Sequence, residues 1–321
     1  MVSNCLPKSI AILAHNRENV NRFGGDRMYR TLNSYLQERF GCKVYKLSLD
    51  GGMTCPNRDG TCGTRGCIFC SGSGEFAEAG GSVAEQLERA KCRVSAKIRN
   101  GKYIAYFQSF TNTYAPVERL EQLFSSATAP DDIVALSVAT RPDCLPPDVL
   151  ELLEQLNRKK PVFVELGLQT VHPQTAAWMR RGYELPVYDR AVQQLKTRGI
   201  EVVTHMIAGL PGETMQMTAE TARYIGASGA DGIKIHLLHV LQGTDLAEEY
   251  AAGRIPVLSL EEYIETVAAC IRVLPPEMVI HRLTGDGDKR TLLAPLWSAD
   301  KKTVLNAMNR ALQSVTQGEL L

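Results

Sequence analysis

The stretch that decides the fold is KVYKLSL (43–49) followed by DGGMTCPNRDGTCGTRGCIFC (50–70). The first seven residues are short and rich in Val and Leu, as a strand covered on both faces would be. The next twenty-one carry many Gly, Asn and Asp residues, which let a loop fold tightly and aim several N–H groups inward. They also hold four of the nine cysteines, Cys55, Cys62, Cys67 and Cys70. A strand that runs straight into such a loop places thiols at the C-terminal end of a sheet strand, where α/β folds collect their chemistry.

Outward from this point the strand pattern repeats. YIAYFQ (103–108), DIVALSV (132–138), PVFVELGL (161–168), IEVVTHMIAG (200–209) and GIKIHLLHV (232–240) are further strand candidates. Between and after them, residues 82–99, 116–127, 146–158, 187–198, 215–228 and 259–273 carry helical periodicity. Pro116 and Pro147 stand near helix starts, and Gly199 and Gly229 just past helix ends. Six strand–helix repeats imply a parallel sheet with right-handed crossovers. That is too few for a closed eight-stranded barrel and suits a partial (βα)6 TIM-type barrel, with a doubly wound open sheet as the alternative.

A helix is expected over 28–40, and residues 1–24 read as a loosely ordered lead-in. Residues 25–275 would form the core barrel. From 276 onward the chain reads as a C-terminal extension packed on it: a short strand (MVIHRL), a polar loop (TGDGDK) and a helix near 300–315.

The bulk numbers set few limits. With 44% apolar and 22% charged residues and a formal net charge of +1, the chain can supply a sizeable core and has no global field that selects a polyanion. No apolar run approaches the roughly 20 residues of a membrane helix, so a cytoplasmic protein without a membrane partner is expected. Cys5, Cys42, Cys92, Cys144 and Cys270 are scattered and read as buried or idle thiols.

The clustered cysteines leave two readings open. Soft thiolates suit zinc or an iron–sulfur cluster, and the x2 spacing of Cys67 and Cys70 fits both. A structural zinc site would use all four, yet Cys55 and Cys62 lie too far apart to form a second C-x2-C unit.

The words CPNRDG and GCIFC, in the spacing C-x11-C-x2-C, resemble the radical S-adenosylmethionine (SAM) superfamily. In particular they resemble the YtqA/YhcC family (MnmL-type), related to the Elp3 catalytic subunit and to oxygen-independent coproporphyrinogen oxidase. The similarity runs from about Gly25 to the C-terminus through DRMYRTLNSYL, YFQSFTNTYAP, ATRPDCL, ELGLQTVH, HMIAGLPGET and HRLTGDGDKRTLLAPLWS.

The resemblance implies a [4Fe–4S] cluster on Cys55, Cys67 and Cys70, with Cys62 a bystander and one iron left open for SAM. It implies SAM contacts by Gln108 after the second strand, Thr140 after the third, Gln169 at the end of the fourth, Arg181 in the next loop and His205 on the fifth. Related enzymes often place a carboxylate where this chain has Ala139. Arg141 is a further anion-binding candidate, and the turn Gly209-Leu210-Pro211-Gly212-Glu213 is implied to lie against adenine. Glu165 inside an apolar strand is costly unless paired. His236 and His239 are substrate-side candidates.

The resemblance also implies the substrate: the C5 side chain of a tRNA wobble uridine, processed from carboxymethylaminomethyl to aminomethyl. A reductant such as flavodoxin or ferredoxin and a partner methyltransferase follow from that reading. Arg27, Arg30, Arg58, Arg65, Arg181 and Arg290 permit a tRNA partner without requiring one. The alternatives are a radical-SAM enzyme acting on a small metabolite and a zinc-binding protein without enzymatic activity.

Overall fold

The computed structural model describes residues 29–71, 80–97, 101–285 and 287–317. The expected lead-in at 1–24, the first residue of the 28–40 helix and Arg27 lie outside the described residues. In chain order the elements begin with β1 (Arg30–Thr31), α1 (Leu32–Phe40), β2 (Val44–Leu49), α2 (Val83–Val94), β3 (Lys102–Phe107) and α3 (Val117–Thr128). They continue with β4 (Ile133–Thr140), α4 (Pro147–Asn157), β5 (Val162–Gln169), α5 (Pro173–Trp178), α6 (Leu185–Lys196), β6 (Glu201–Ala208) and α7 (Met215–Ala227). The last are β7 (Gly232–Leu237), β8 (Val240–Leu241), α8 (Asp245–Ala251), α9 (Leu260–Val273), β9 (Val279–Arg282), β10 (Leu292–Ala294) and α10 (Lys301–Gln317).

Eight of these strands form one parallel sheet in the order β1-β9-β7-β6-β5-β4-β3-β2, curled into a partial barrel with helices outside. The six expected strands are all present and adjacent in sequence order. Two more join them at the β7 edge. One is β9, the MVIHRL segment that the sequence placed in a C-terminal extension. The other is β1, which pairs with β9 through two residues inside what reads as a helix start. β1 is too short to show a period, and β9 reads as a strand in the sequence but not as part of the barrel sheet. The helix expected over 82–99 ends at Val94 and passes into a 3-10 turn, Ser95–Lys97. The strand expected over 232–240 stops at Leu237, and β8 pairs separately with β10.

The lumen of the partial barrel is layered. At its N-terminal end Val44, Ile104, Ala135, Phe163 and Val203 pack with Leu36 of α1 into an apolar plug. Helix α1 lies across this end and touches β2 at one edge of the sheet and β9, next to the β1 edge, on the other side. Tyr35 donates to Glu201 at the start of β6 (2.6 Å), and Arg39 pairs with the same carboxylate. Side chains on a strand alternate faces, so the next inward residue of each strand lies two positions on, one tier up. That tier is polar: Lys46, Tyr106, Ser137, Glu165, His205 and Lys234. The main apolar core lies outside the sheet, between strands and helices.

Candidate active site at the C-terminal mouth

The loop from Asp50 to Cys70 is tied at its root and wrapped on itself. Gln86, buried on α2, accepts the Asp50 N–H (2.9 Å) and donates to the Asp50 carbonyl (3.1 Å). Cys55 opens a turn whose carbonyl accepts the Arg58 N–H (2.8 Å). The Asn57 carbonyl accepts the Gly66 N–H (2.7 Å), and Cys70 closes a turn onto the Cys67 carbonyl (3.0 Å). The Arg58 guanidinium donates to the Cys70 carbonyl (2.6 Å) and lies over the Phe110 ring. These bonds bring Cys55, Cys67 and Cys70 to the wall of one cavity of about 280 Å3. Burial pushes the free Cys67 thiol up to about 11, with Cys55 and Cys70 close enough to add to the rise.

Cys62 is exposed and outside the cavity lining. Among the scattered cysteines, Cys144 and Cys270 are buried, Cys42 is half-buried and Cys92 is exposed; Cys5 lies outside the described residues. Among the described residues, no three His, Cys, Asp or Glu side chains converge as ligands of a single metal ion.

All five residues implied as SAM contacts line this same cavity: Gln108, Thr140, Gln169, Arg181 and His205. Thr140 shares a hydroxyl contact of 2.5 Å with Thr113, and both are buried. Gln169 ends β5 with φ 70°, in the left-handed region that side chains avoid, so its backbone is held against preference. Arg181 is 4% exposed, and its guanidinium donates to the carbonyls of Tyr183 (3.0 Å) and Thr170 (2.6 Å). Burial lowers its pKa. Those donors knit the β5–α6 connection. Arg141, also lining the cavity, is forked onto Asp143 (2.9 and 2.7 Å) and donates to the Arg181 carbonyl (2.8 Å). Burial opposes its charge, but the Asp143 carboxylate outweighs it and holds the pKa up.

Two residues of the polar tier, Glu165 and His205, reach the floor of the cavity. Glu165, with a fully buried side chain, accepts from Ser137 (2.6 Å) and Lys46 on one oxygen. On the other it meets Lys234 and His205 Nε2 (2.8 Å). Burial would raise its pKa, yet the two ammonium groups outweigh that and hold it well below the carboxylate range. Burial, reinforced by Lys234, takes His205 down to about 4 despite the carboxylate beside it. Burial likewise takes Lys234 down to about 7. His205 is therefore neutral near pH 7, and Nε2, facing the ionised carboxylate, carries its proton.

Glu165, costly in an apolar strand unless paired, is paired, and its partners are the residues that sequence reasoning passed over. Lys46 and Lys234 also interrupt apolar strands, so the rule that singled out Glu165 would have found them. His236 follows one tier above, with its ring centroid 5.0 Å from that of His205 and its Nε2 without a hydrogen-bond partner. His239 lies past the end of β7. Glu213, in the Gly-Leu-Pro-Gly-Glu turn, accepts from Thr170 (2.5 Å).

The arginines offered by the sequence for an anionic partner have internal partners. Arg30 pairs with Glu38, Arg65 with Asp245, and Arg290 with Asp288.

Family comparisons agree with this architecture. The Radical SAM superfamily model matches residues 60–225, and the Radical_SAM C-terminal domain matches residues 230–314. The chain belongs to the radical SAM superfamily and is a radical-SAM enzyme. Within it, protein YtqA of Bacillus subtilis is 47% identical over 90% of this chain and 91% of its own length. Protein YhcC of Escherichia coli is 41% identical over 91% and 92%. The tRNA uridine(34) acetyltransferase of Methanocaldococcus jannaschii is 29% identical over 50% of this chain but 29% of its own length. The solved structure of Methanocaldococcus infernus Elp3 shares the fold, with TM-score 0.62 and 18% identity, over 83% of this chain and 63% of that one. Among the described residues, no helix is long and apolar enough to cross a membrane.

Proposed function

We propose that Cys55, Cys67 and Cys70 hold a [4Fe–4S] cluster and that SAM binds in the adjoining cavity against Gln108, Thr140, Gln169, Arg181 and His205. The observation that carries this reading is the meeting of three thiols and all five of those residues on one cavity wall. The donor set fits. A single zinc ion needs sulfurs drawn to about 2.3 Å from one centre, whereas a cubane accepts three thiols spread around a larger object, and the fourth cysteine faces solvent. The Cys67 thiol, which burial keeps protonated on its own, becomes a thiolate once metal neutralises it. When bound, such a cluster supplies the electron that cleaves the sulfonium bond of SAM and yields a 5′-deoxyadenosyl radical.

The chain's own residues then orient and shield. Phe69, Phe110 and Met179 give the cavity an apolar side that excludes water. Neutral His205 offers a hydrogen-bonding ring without adding charge. Gln169 projects from a backbone held for that purpose, and Arg141 and Arg181 keep the upper rim rigid. Cluster reduction calls for a reductant of the flavodoxin or ferredoxin type.

The substrate we propose is the C5 side chain of a tRNA wobble uridine, carboxymethylaminomethyl converted to aminomethyl, which a partner methyltransferase would then take up. Support comes from the relative named for tRNA uridine 34, which spans half of this chain. Nucleoside analysis of tRNA from a strain lacking the gene is the test. Accumulated carboxymethylaminomethyluridine supports the reading, and unchanged wobble uridines overturn it. The internal pairing of Arg30, Arg65 and Arg290 favours the second reading, a small metabolite, and the same tRNA analysis separates the two.

A further inference from the structure

We propose that Asn57 sets the reduction potential of the cluster by donating an N–H···S hydrogen bond to Cys67, an inference that rests on the cluster reading above. Asn57 is 4% exposed, and its Nδ2 lies 3.4 Å from Cys67 Sγ. The amide can point only one way. The same Nδ2 is 2.7 Å from the Arg180 carbonyl and 3.4 Å from the Arg181 carbonyl, so a flip would set oxygen against two oxygens. With one hydrogen committed to Arg180, the other lies between Cys67 Sγ and the Arg181 carbonyl, each 3.4 Å from Nδ2. Oδ1 faces Gly182, where an added Cβ would come within 2.7 Å of it, and this residue has φ 81°. The backbone of Asn57 is fixed in turn by the Gly66 N–H. The amide is therefore held against the thiol by its bond to the Arg180 carbonyl and by its fixed backbone.

Hydrogen bonds to cluster sulfurs stabilise the more negative, reduced state and raise the potential. As a free thiol, Cys67 can donate to the Arg180 carbonyl, 3.7 Å away. As a thiolate it cannot, and that carbonyl then faces it as a bare dipole of the wrong sign. The Asn57 N–H is the group that offsets it. Asn57 is thus a positioning and tuning residue that acts through Cys67.

Two measurements on the anaerobically reconstituted full-length protein test this. In wild type grown with asparagine labelled by 15N at the side-chain amide, pulsed EPR of the reduced cluster should show a 15N coupling. A cluster of roughly four irons without that coupling overturns the proposal. In Asn57→Leu, redox titration followed by EPR should show a more negative midpoint, about tenfold in the reduction equilibrium or roughly 59 mV for one electron. An unchanged midpoint in a variant that keeps its iron overturns the proposal and leaves Asn57 a structural role. If Asn57→Leu loses its iron, the wild-type coupling alone decides. A wild-type protein that takes up no iron overturns both this inference and the cluster reading.

Discussion

His205 Nε2 lies 2.8 Å from Glu165 Oε2, beneath the cavity that holds the three cysteines. The carboxylate orients the imidazole, while burial and Lys234 keep the ring neutral. Glu165, at the floor of the cavity, ties together Lys46 and Lys234, one acid serving two bases.

Removing that acid should be costly. Glu165→Gln leaves Lys46 and Lys234 in the lumen without their carboxylate, and a loss of about 3–5 kcal/mol is expected from breaking a buried pair on one side. Chemical denaturation of the apo protein measures it. The triple variant Lys46→Met, Glu165→Leu and Lys234→Met should recover much of the loss, because it removes all three charges together.

Acid should destabilise the fold through the same group. His205 has a folded pKa of about 4, below its unfolded value near 6.5. The unfolded chain therefore binds the proton first, and stability falls as pH drops from 6.5 towards 4. Glu165, held low by its lysines, adds to the loss at the acid end. His205→Asn should flatten the upper part of this limb in thermal melts recorded against pH.

Cys55→Ala, Cys67→Ala and Cys70→Ala should each abolish iron binding, and Cys62→Ala should leave it near wild type. Iron and acid-labile sulfide after anaerobic reconstitution give the answer. Loss of iron in Cys62→Ala would show that the ligand set is wrong.

Gly182→Ala should cost about 1–3 kcal/mol, since alanine resists a positive φ and its methyl would meet Asn57 Oδ1. Iron retention should fall with it, because the displaced amide is the one that braces Cys67. Gln169→Gly should do the opposite: its backbone accepts φ 70° without strain, so the fold stays as stable while SAM binding, read by calorimetry on the reconstituted protein, weakens.

The strands β2 to β7 were legible because each is a short apolar run bounded by turn residues, and their order follows from right-handed crossovers. The three cysteines were legible by spacing and resemblance. What the chain does not announce is pairing at a distance. β1 has two residues and no period, and β9 gains its place only by meeting β7. Lys46 and Lys234 read as interruptions of apolar strands until Glu165 is placed between them. For Arg181 the sequence shows a guanidinium but not the carbonyls of Thr170 and Tyr183 that fix it in the cavity wall.

One edge of the sheet is β2 and the other β1, and among the described residues no backbone ladder joins them; α1 spans the gap with side chains. The wall of the lumen is therefore stitched everywhere except along one seam, and that seam is closed by a clasp. Breathing of the barrel should concentrate where the clasp rests, so amide hydrogen exchange in α1 should run ahead of that in β4 to β6. A change of girth to admit a bulkier guest would start there, at the end of the lumen opposite the mouth.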